Sequence, residues 1–281
     1  MDSGYAHPEV LVDAAWIAAH LDDASVRLVE VDVSPAIYDH GHIEGAVLWN
    51  AYTDLRGDAY RPVSSEDIAS LFSRSGISPE TTVVFYGYGA VLGFWLMKLY
   101  GHDDVRLLNG SRDLWVHTGH DWTTTVRTIA PSTYPRVRED NDLVASRGAV
   151  ADDLGKHANL LLDVRSRAEY EGVYFWPSGA PNETGRAGRI PGAVHLPVES
   201  VRSDDGVYVE VDDLRGLFEG KGVTADRSVI TYCTIGNRAS QAWFVLTYLL
   251  GYPYVRVYYG SWVEWGMLPE SAVEVGEILG E

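Results

Sequence analysis

Short apolar runs alternate along this chain with stretches in which apolar side chains recur at helical spacing, the pattern of strand and helix units around a mainly parallel sheet. The pattern occurs twice. The strand Arg27-Leu28-Val29-Glu30-Val31-Asp32, followed by the segment His40 to Val47, returns as Leu160-Leu161-Leu162-Asp163-Val164-Arg165, followed by Ala187 to Val194. Thr82-Val83-Val84-Phe85-Tyr86 returns as Ser228-Val229-Ile230-Thr231-Tyr232, and each leads into an apolar-periodic segment that closes at Gly101 or Gly251. A third strand, Val105 to Leu108 with Trp115 beyond it, matches Val255 to Tyr258 with Trp265. A duplication of this kind predicts two tandem α/β domains. Residues 123–135, with three consecutive threonines and two prolines, lack apolar periodicity and read as the linker. The boundary is placed near residue 130, giving domains 1–130 and 131–281.

The copies differ in two places. Tyr86 to Gly101 is 15 positions and Tyr232 to Gly251 is 19, so the second copy has four more residues, which the sequence reading places directly after the strand. Asp32 to Gly45 is 13 positions and Asp163 to Gly192 is 29, an insertion of 16 after the first strand of the second copy. Both lie where a parallel sheet presents the carboxyl ends of its strands, the usual place for a ligand. The second copy is therefore expected to carry the chemistry, with the first closing one side of the cleft.

The single cysteine, Cys233, falls in the first of these places. In Cys233-Thr234-Ile235-Gly236-Asn237-Arg238 it sits between a strand and a helix whose apolar positions are Ala239, Ala242, Trp243, Leu246, Leu249 and Leu250. Unpaired N–H groups at a helix N-terminus favour a thiolate and bind an anion beside it. Gly236 permits a backbone turn that aims consecutive amides inward. Arg238 closes the loop and is expected to supply a fixed guanidinium for oxyanions.

These motifs resemble the two-domain rhodanese-type sulfurtransferases, in particular the bacterial thiosulfate branch. The resemblance covers nearly the whole chain: Asp163 to Arg165, Arg189-Ile190-Pro191-Gly192-Ala193, the Tyr232-Cys233-x-x-Gly236 loop, and Tyr258-x-Gly260-Ser261-Trp262-x-x-Trp265-Gly266. It implies that Cys233 is a nucleophile attacking a sulfane donor such as thiosulfate. The resulting persulfide would pass its sulfur to cyanide or a thiol, with no cofactor and no metal. Substrate contacts are expected from Thr234, Ile235, Gly236, Asn237 and Arg238, from Arg186 and Arg189 in the insertion, and from Trp262 as a wall of the pocket. Thr234 stands where the branch has Arg, Ile235 where animal-type enzymes have Lys, and Glu169 where those animal-type enzymes have a thiosulfate-binding Arg. Arg238 is then the one cation of the loop, and the donor stays open. The insertion, with Tyr174-Phe175-Trp176-Pro177 at its start, reads either as a surface loop or as a lid over the cleft.

Two other classes compete. Cysteine-dependent phosphatases use a related loop with five residues between Cys and Arg; here there are four, a ring too tight for a phosphoryl group. A non-catalytic binding module would require the cysteine loop to be a relic. Composition narrows the partners: 22 Lys and Arg against 40 Asp and Glu give a net charge of -18, unfavourable for nucleic acid or an anionic membrane surface. One cysteine allows no intramolecular disulfide. The longest apolar stretch, residues 89–97, is about half of the ~18–20 residues that span a bilayer, and the N-terminus has no signal-peptide pattern. A cytoplasmic protein acting on small molecules is expected.

Overall fold

A computed structural model describes residues 4–58, 61–135, 137–179 and 185–277. The first domain is built on strands β1 (Leu11–Val12), β2 (Val26–Asp32), β3 (Val47–Asn50), β4 (Thr82–Tyr86) and β5 (Val105–Leu108). They form an all-parallel sheet in the order β1-β5-β4-β2-β3. Helices α1 (Ala14–Ala19), α2 (Pro35–His40), α3 (Ser65–Arg74), α4 (Ala90–Leu99) and α5 (Arg112–His117) cover its faces. In the second domain, β6 (Asn159–Asp163), β7 (Val194–His195), β8 (Ser228–Tyr232) and β9 (Val255–Val257) pair in parallel in the order β7-β6-β8-β9. Its helices are α6 (Arg147–Asp153), α7 (Arg167–Glu171), α8 (Val211–Glu219), α9 (Asn237–Phe244) and α10 (Ser261–Trp265). Val144 bridges Val257 in parallel, in the place that β1 occupies beside β5. The predicted α/β duplication therefore extends to strand order.

The two sheets share one core. Every residue of α4 except Lys98 is buried, as an apolar-all-round helix must be when a sheet lies on one side of it and a second domain on the other. It packs on α9 and the residues that follow it, where Phe94 meets the rings of Phe244 at 4.9 Å and Tyr248 at 5.1 Å. Buried apolar residues from both domains, Phe85 and Trp95 among them with Val229 and Trp243, form a single cluster. The segment after α5 is held along the first domain: His42 and Thr123 exchange backbone hydrogen bonds, Ser132 N–H donates to Ser73 O, and Asp140 N–H donates to Leu99 O.

The extra residues of the second copy are distributed differently from the sequence reading. Three residues (87–89) separate β4 from α4, and four (233–236) separate β8 from α9. The other three lengthen the helix, which continues from α9 into a π-helical turn over Val245–Leu249. A π turn accommodates added residues without breaking the helix.

Candidate active site

Strand β8 delivers Cys233 to its carboxyl end, almost wholly buried. Gly236, the N-cap of α9, has φ 91°. A Cβ there would stand 3.0 Å from Tyr259 O and 3.1 Å from its ring, so both the left-handed backbone and the close approach require glycine. The turn aims the Gly236 N–H at Cys233 Sγ, 3.1 Å away. That contact stabilises sulfur carrying negative charge, at the positive end of α9.

The back of the loop is pinned by α10. Trp262 N–H donates to Cys233 O and Val263 N–H to Thr234 O, each at 2.9 Å. Ser261 Oγ accepts from Cys233 N–H at 3.1 Å and donates to Tyr258 O at 2.8 Å. Ser261 itself adopts φ 51°, a strained conformation for serine that places its hydroxyl under the cysteine. This is the work of the Tyr258 to Trp262 motif: it shapes the loop from below.

Above the sulfur lies a cavity of about 270 Å³, lined by Tyr52, Tyr88, Trp176, Pro177, Ser178, Cys233, Thr234, Ile235, Asn237 and Arg238. Tyr52 and Tyr88 come from the first domain, Tyr88 from the loop that is the counterpart of the cysteine loop. The same domain sends Arg56 to donate to Ile235 O, its guanidinium over the Tyr259 ring at 5.3 Å, and Leu55 O accepts from Tyr259 Oη at 3.2 Å. Both domains thus build the pocket. Sequence reasoning did not find Tyr52, Arg56 or Tyr88, and it met Ser261 only as part of the Tyr258 to Gly266 motif, without a role; the alignment of the two copies could have pointed to Tyr88.

Arg238 lines the cavity, and its guanidinium is fixed, as expected of the loop, but by a carboxylate. It forms a two-pronged ion pair with Glu169, Nη1 to Oε2 at 2.8 Å and Nη2 to Oε1 at 2.7 Å, and Nη2 also donates to Thr234 Oγ1 at 2.8 Å. Thr234 Oγ1 donates in turn to Glu169 Oε1 at 2.5 Å. Burial by itself would raise the Glu169 pKa, yet the hydrogen bonds and charge of Arg238, with those of Thr234 and Ser166, bring it down to about 2. Burial likewise works against the Arg238 charge, and the Glu169 carboxylate together with the nearby Cys233 outweighs it, raising the Arg238 pKa above its ordinary value.

Three further expected contacts lie elsewhere. Arg186 Nη2 donates to Leu268 O and Ser271 O, and Arg189 to Gly276 O and the Glu274 carboxylate, so both tie the insertion to the C-terminal segment. A buried guanidinium takes the nearest carbonyls and carboxylates, and these belong to residues 268–276. Trp262 is fully buried and does not line the cavity. Its Nε1 donates to Arg186 O at 3.1 Å, and Arg165 lies over its ring at 4.6 Å. The insertion reaches the cavity through Trp176, Pro177 and Ser178; residues 180–184 lie outside the described residues.

A duplicated α/β sheet with one cysteine loop at the carboxyl end of the second copy defines a class, and the rhodanese-like domain family matches the chain at residues 13–118 and 146–268. The chain belongs to the rhodanese family and is an enzyme of the sulfurtransferase type. The sulfur carrier protein TtuD of Thermus thermophilus is 43% identical over 98% of this chain and 99% of its own length. A Mycobacterium tuberculosis protein named "Putative thiosulfate sulfurtransferase SseA" is 42% identical over 99% of this chain and 94% of its own. Among solved structures, the anaerobic ergothioneine biosynthesis enzyme from Chlorobium limicola, in complex with trimethyl histidine, superposes with a TM-score of 0.86 at 26% identity, over 96% of this chain and 71% of that one. A structure of EanB holding a cysteine persulfide and ergothioneine superposes with a TM-score of 0.87 at 25% identity, over 98% of this chain and 72% of that one. Among the described residues, no helix is long and apolar enough to cross a membrane.

Proposed function

We propose that Cys233 accepts a sulfane sulfur from thiosulfate or a similar donor and passes it, as a persulfide, to a thiol or to cyanide. The observation that carries this reading is the Gly236 N–H on Cys233 Sγ, at the head of α9 and beneath a cavity closed by both domains. In the first half-reaction the thiolate attacks the outer sulfur of the donor. A bond forms between Sγ and that sulfur, the donor's own S–S bond breaks, and the leaving group, sulfite for thiosulfate, departs with the electron pair. In the second, the acceptor attacks the outer sulfur and Cys233 leaves as the thiolate. The Gly236 amide stabilises charge on Sγ in both thiolate states. The resident site is Cys233 with Thr234, Ile235, Gly236, Asn237 and Arg238; Ser261 and Trp262 support it from below. The persulfide in the EanB structure and the sulfur-carrier role named for TtuD support sulfur carriage on this scaffold, and the latter extends the acceptors considered to protein thiols.

Intact-mass measurement after incubation with thiosulfate tests the reading. The wild type is expected to gain one sulfur atom, lost again on addition of cyanide with release of thiocyanate, and Cys233→Ser is expected to gain none. Thiocyanate formation that survives in Cys233→Ser would overturn it.

A further inference from the structure

The Glu169 carboxylate is held by more than a helix cap needs. It is N3 of the capping box of α7, accepting from Ser166 N–H at 3.1 Å and Ser166 Oγ at 2.8 Å, which would suffice for that task. It accepts in addition from Thr234 Oγ1 and from both arms of Arg238. The residue is fully buried, and the Arg238 side chain only 18% exposed. The pair is therefore poorly screened by solvent, and its two charges cancel at short range. Among the described residues, Arg238 is the one cation lining the cavity, and the negative charge of Glu199 adds a smaller stabilisation of it. Arg56 is outside that lining: its guanidinium lies behind the cavity wall, over the rings of Tyr52 at 5.8 Å and Tyr259 at 5.3 Å, and donates to Ile235 O. Arg165, fully buried, is paired with Asp163. A small dianion above Cys233 would thus meet a neutral pair, while the walls offered by Tyr52, Tyr88, Trp176 and Pro177 are aromatic or apolar.

Building on the sulfur-transfer reading above, the geometry points to Glu169 as a specificity-determining positioning residue. By holding Arg238 in a neutral pair it turns the site away from small dianionic donors such as thiosulfate and towards sulfur donors of lower charge with an aromatic or apolar body.

Alkylation of Cys233 by iodoacetate and by iodoacetamide, nearly isosteric reagents that differ in charge, reads the local field at Sγ independently of any sulfur transfer. In the wild type the iodoacetate-to-iodoacetamide rate ratio is expected to be no greater than for N-acetylcysteine. In Glu169→Gln, which retains the shape but frees the Arg238 charge, the ratio should rise by roughly tenfold; in Glu169→Gln/Arg238→Gln it should return to the wild-type value. A residue that merely braces the loop would change both rates together and leave the ratio fixed, and that result would overturn the inference. So would a wild-type ratio tenfold above that of the free thiol, a measurement that needs no variant to fold. Donor kinetics form the second arm. The kcat/KM for benzenethiosulfonate is expected to exceed that for thiosulfate in the wild type, and Glu169→Gln should close the gap by raising the thiosulfate value. If neither donor loads Cys233, the sulfur-transfer reading falls, while the alkylation ratios still decide the part played by Glu169.

Discussion

A glutamate buried against an arginine is a statement about pH as well as about specificity. Glu169 titrates near 4.5 when unfolded and at about 2 in the native protein. A lowered native pKa means that the unfolded state binds the proton more readily, so the contribution to stability is fully present above pH ~4.5 and is lost as pH falls from there towards 2. The difference corresponds to roughly 3 kcal/mol at neutral pH. Urea unfolding of the wild type and Glu169→Gln at a series of pH values should therefore show a stability gap that narrows progressively below pH ~4.5. A gap independent of pH would mean that the carboxylate charge is not what the fold uses.

At the scale of single elements, α9 depends on its first residue. Alanine at Gly236 would adopt a left-handed conformation at a cost of about 1–2 kcal/mol, and its Cβ would press on Tyr259. Relief moves the Gly236 N–H off Cys233 Sγ. Gly236→Ala should thus lower the urea midpoint and slow sulfur loading of Cys233 as well. Gly216 provides the contrast: it lies within α8, and a Cβ there meets nothing within 4 Å. Gly216→Ala should stabilise the protein by about 0.5–1 kcal/mol and leave loading unchanged. Equal effects from the two substitutions would show that the backbone conformation at Gly236 carries no special role.

For the whole molecule, the shared core makes the first domain part of the candidate site although it holds no cysteine. Its loops supply Tyr52, Arg56 and Tyr88, and these keep their places only while α4 rests on α9. Phe94, fully buried among Trp243, Phe244 and Tyr248, holds that contact. Phe94→Ala should cost about 3–5 kcal/mol and reduce sulfur loading, although the residue lies outside the pocket. The wild type is expected to unfold in urea as one transition by tryptophan fluorescence and circular dichroism. Two well-separated transitions would show that the domains are coupled only weakly.

The duplication, the parallel α/β architecture, and the placing of Cys233 between β8 and α9 were all legible in the sequence, because strand and helix periodicity and turn residues such as Gly236 are local properties of the chain. Partner choice is not local. Glu169 stands 69 positions before Arg238, and read along the chain it is only an acid where animal-type enzymes have an arginine. Folding brings the two together, and a guanidinium in a low-dielectric site must take whichever carboxylate packing delivers. For the same reason Arg186 and Arg189, reasonable cleft cations by position, are drawn to the carbonyls and carboxylate of residues 268–276. Trp262, expected as a wall, lies below the loop as part of its support. Local pattern was enough to set the elements and the position of the cysteine; which charges are neutralised and which aromatic side chains line the cavity above the sulfur follow from contacts between residues far apart in the chain, and these form only on folding.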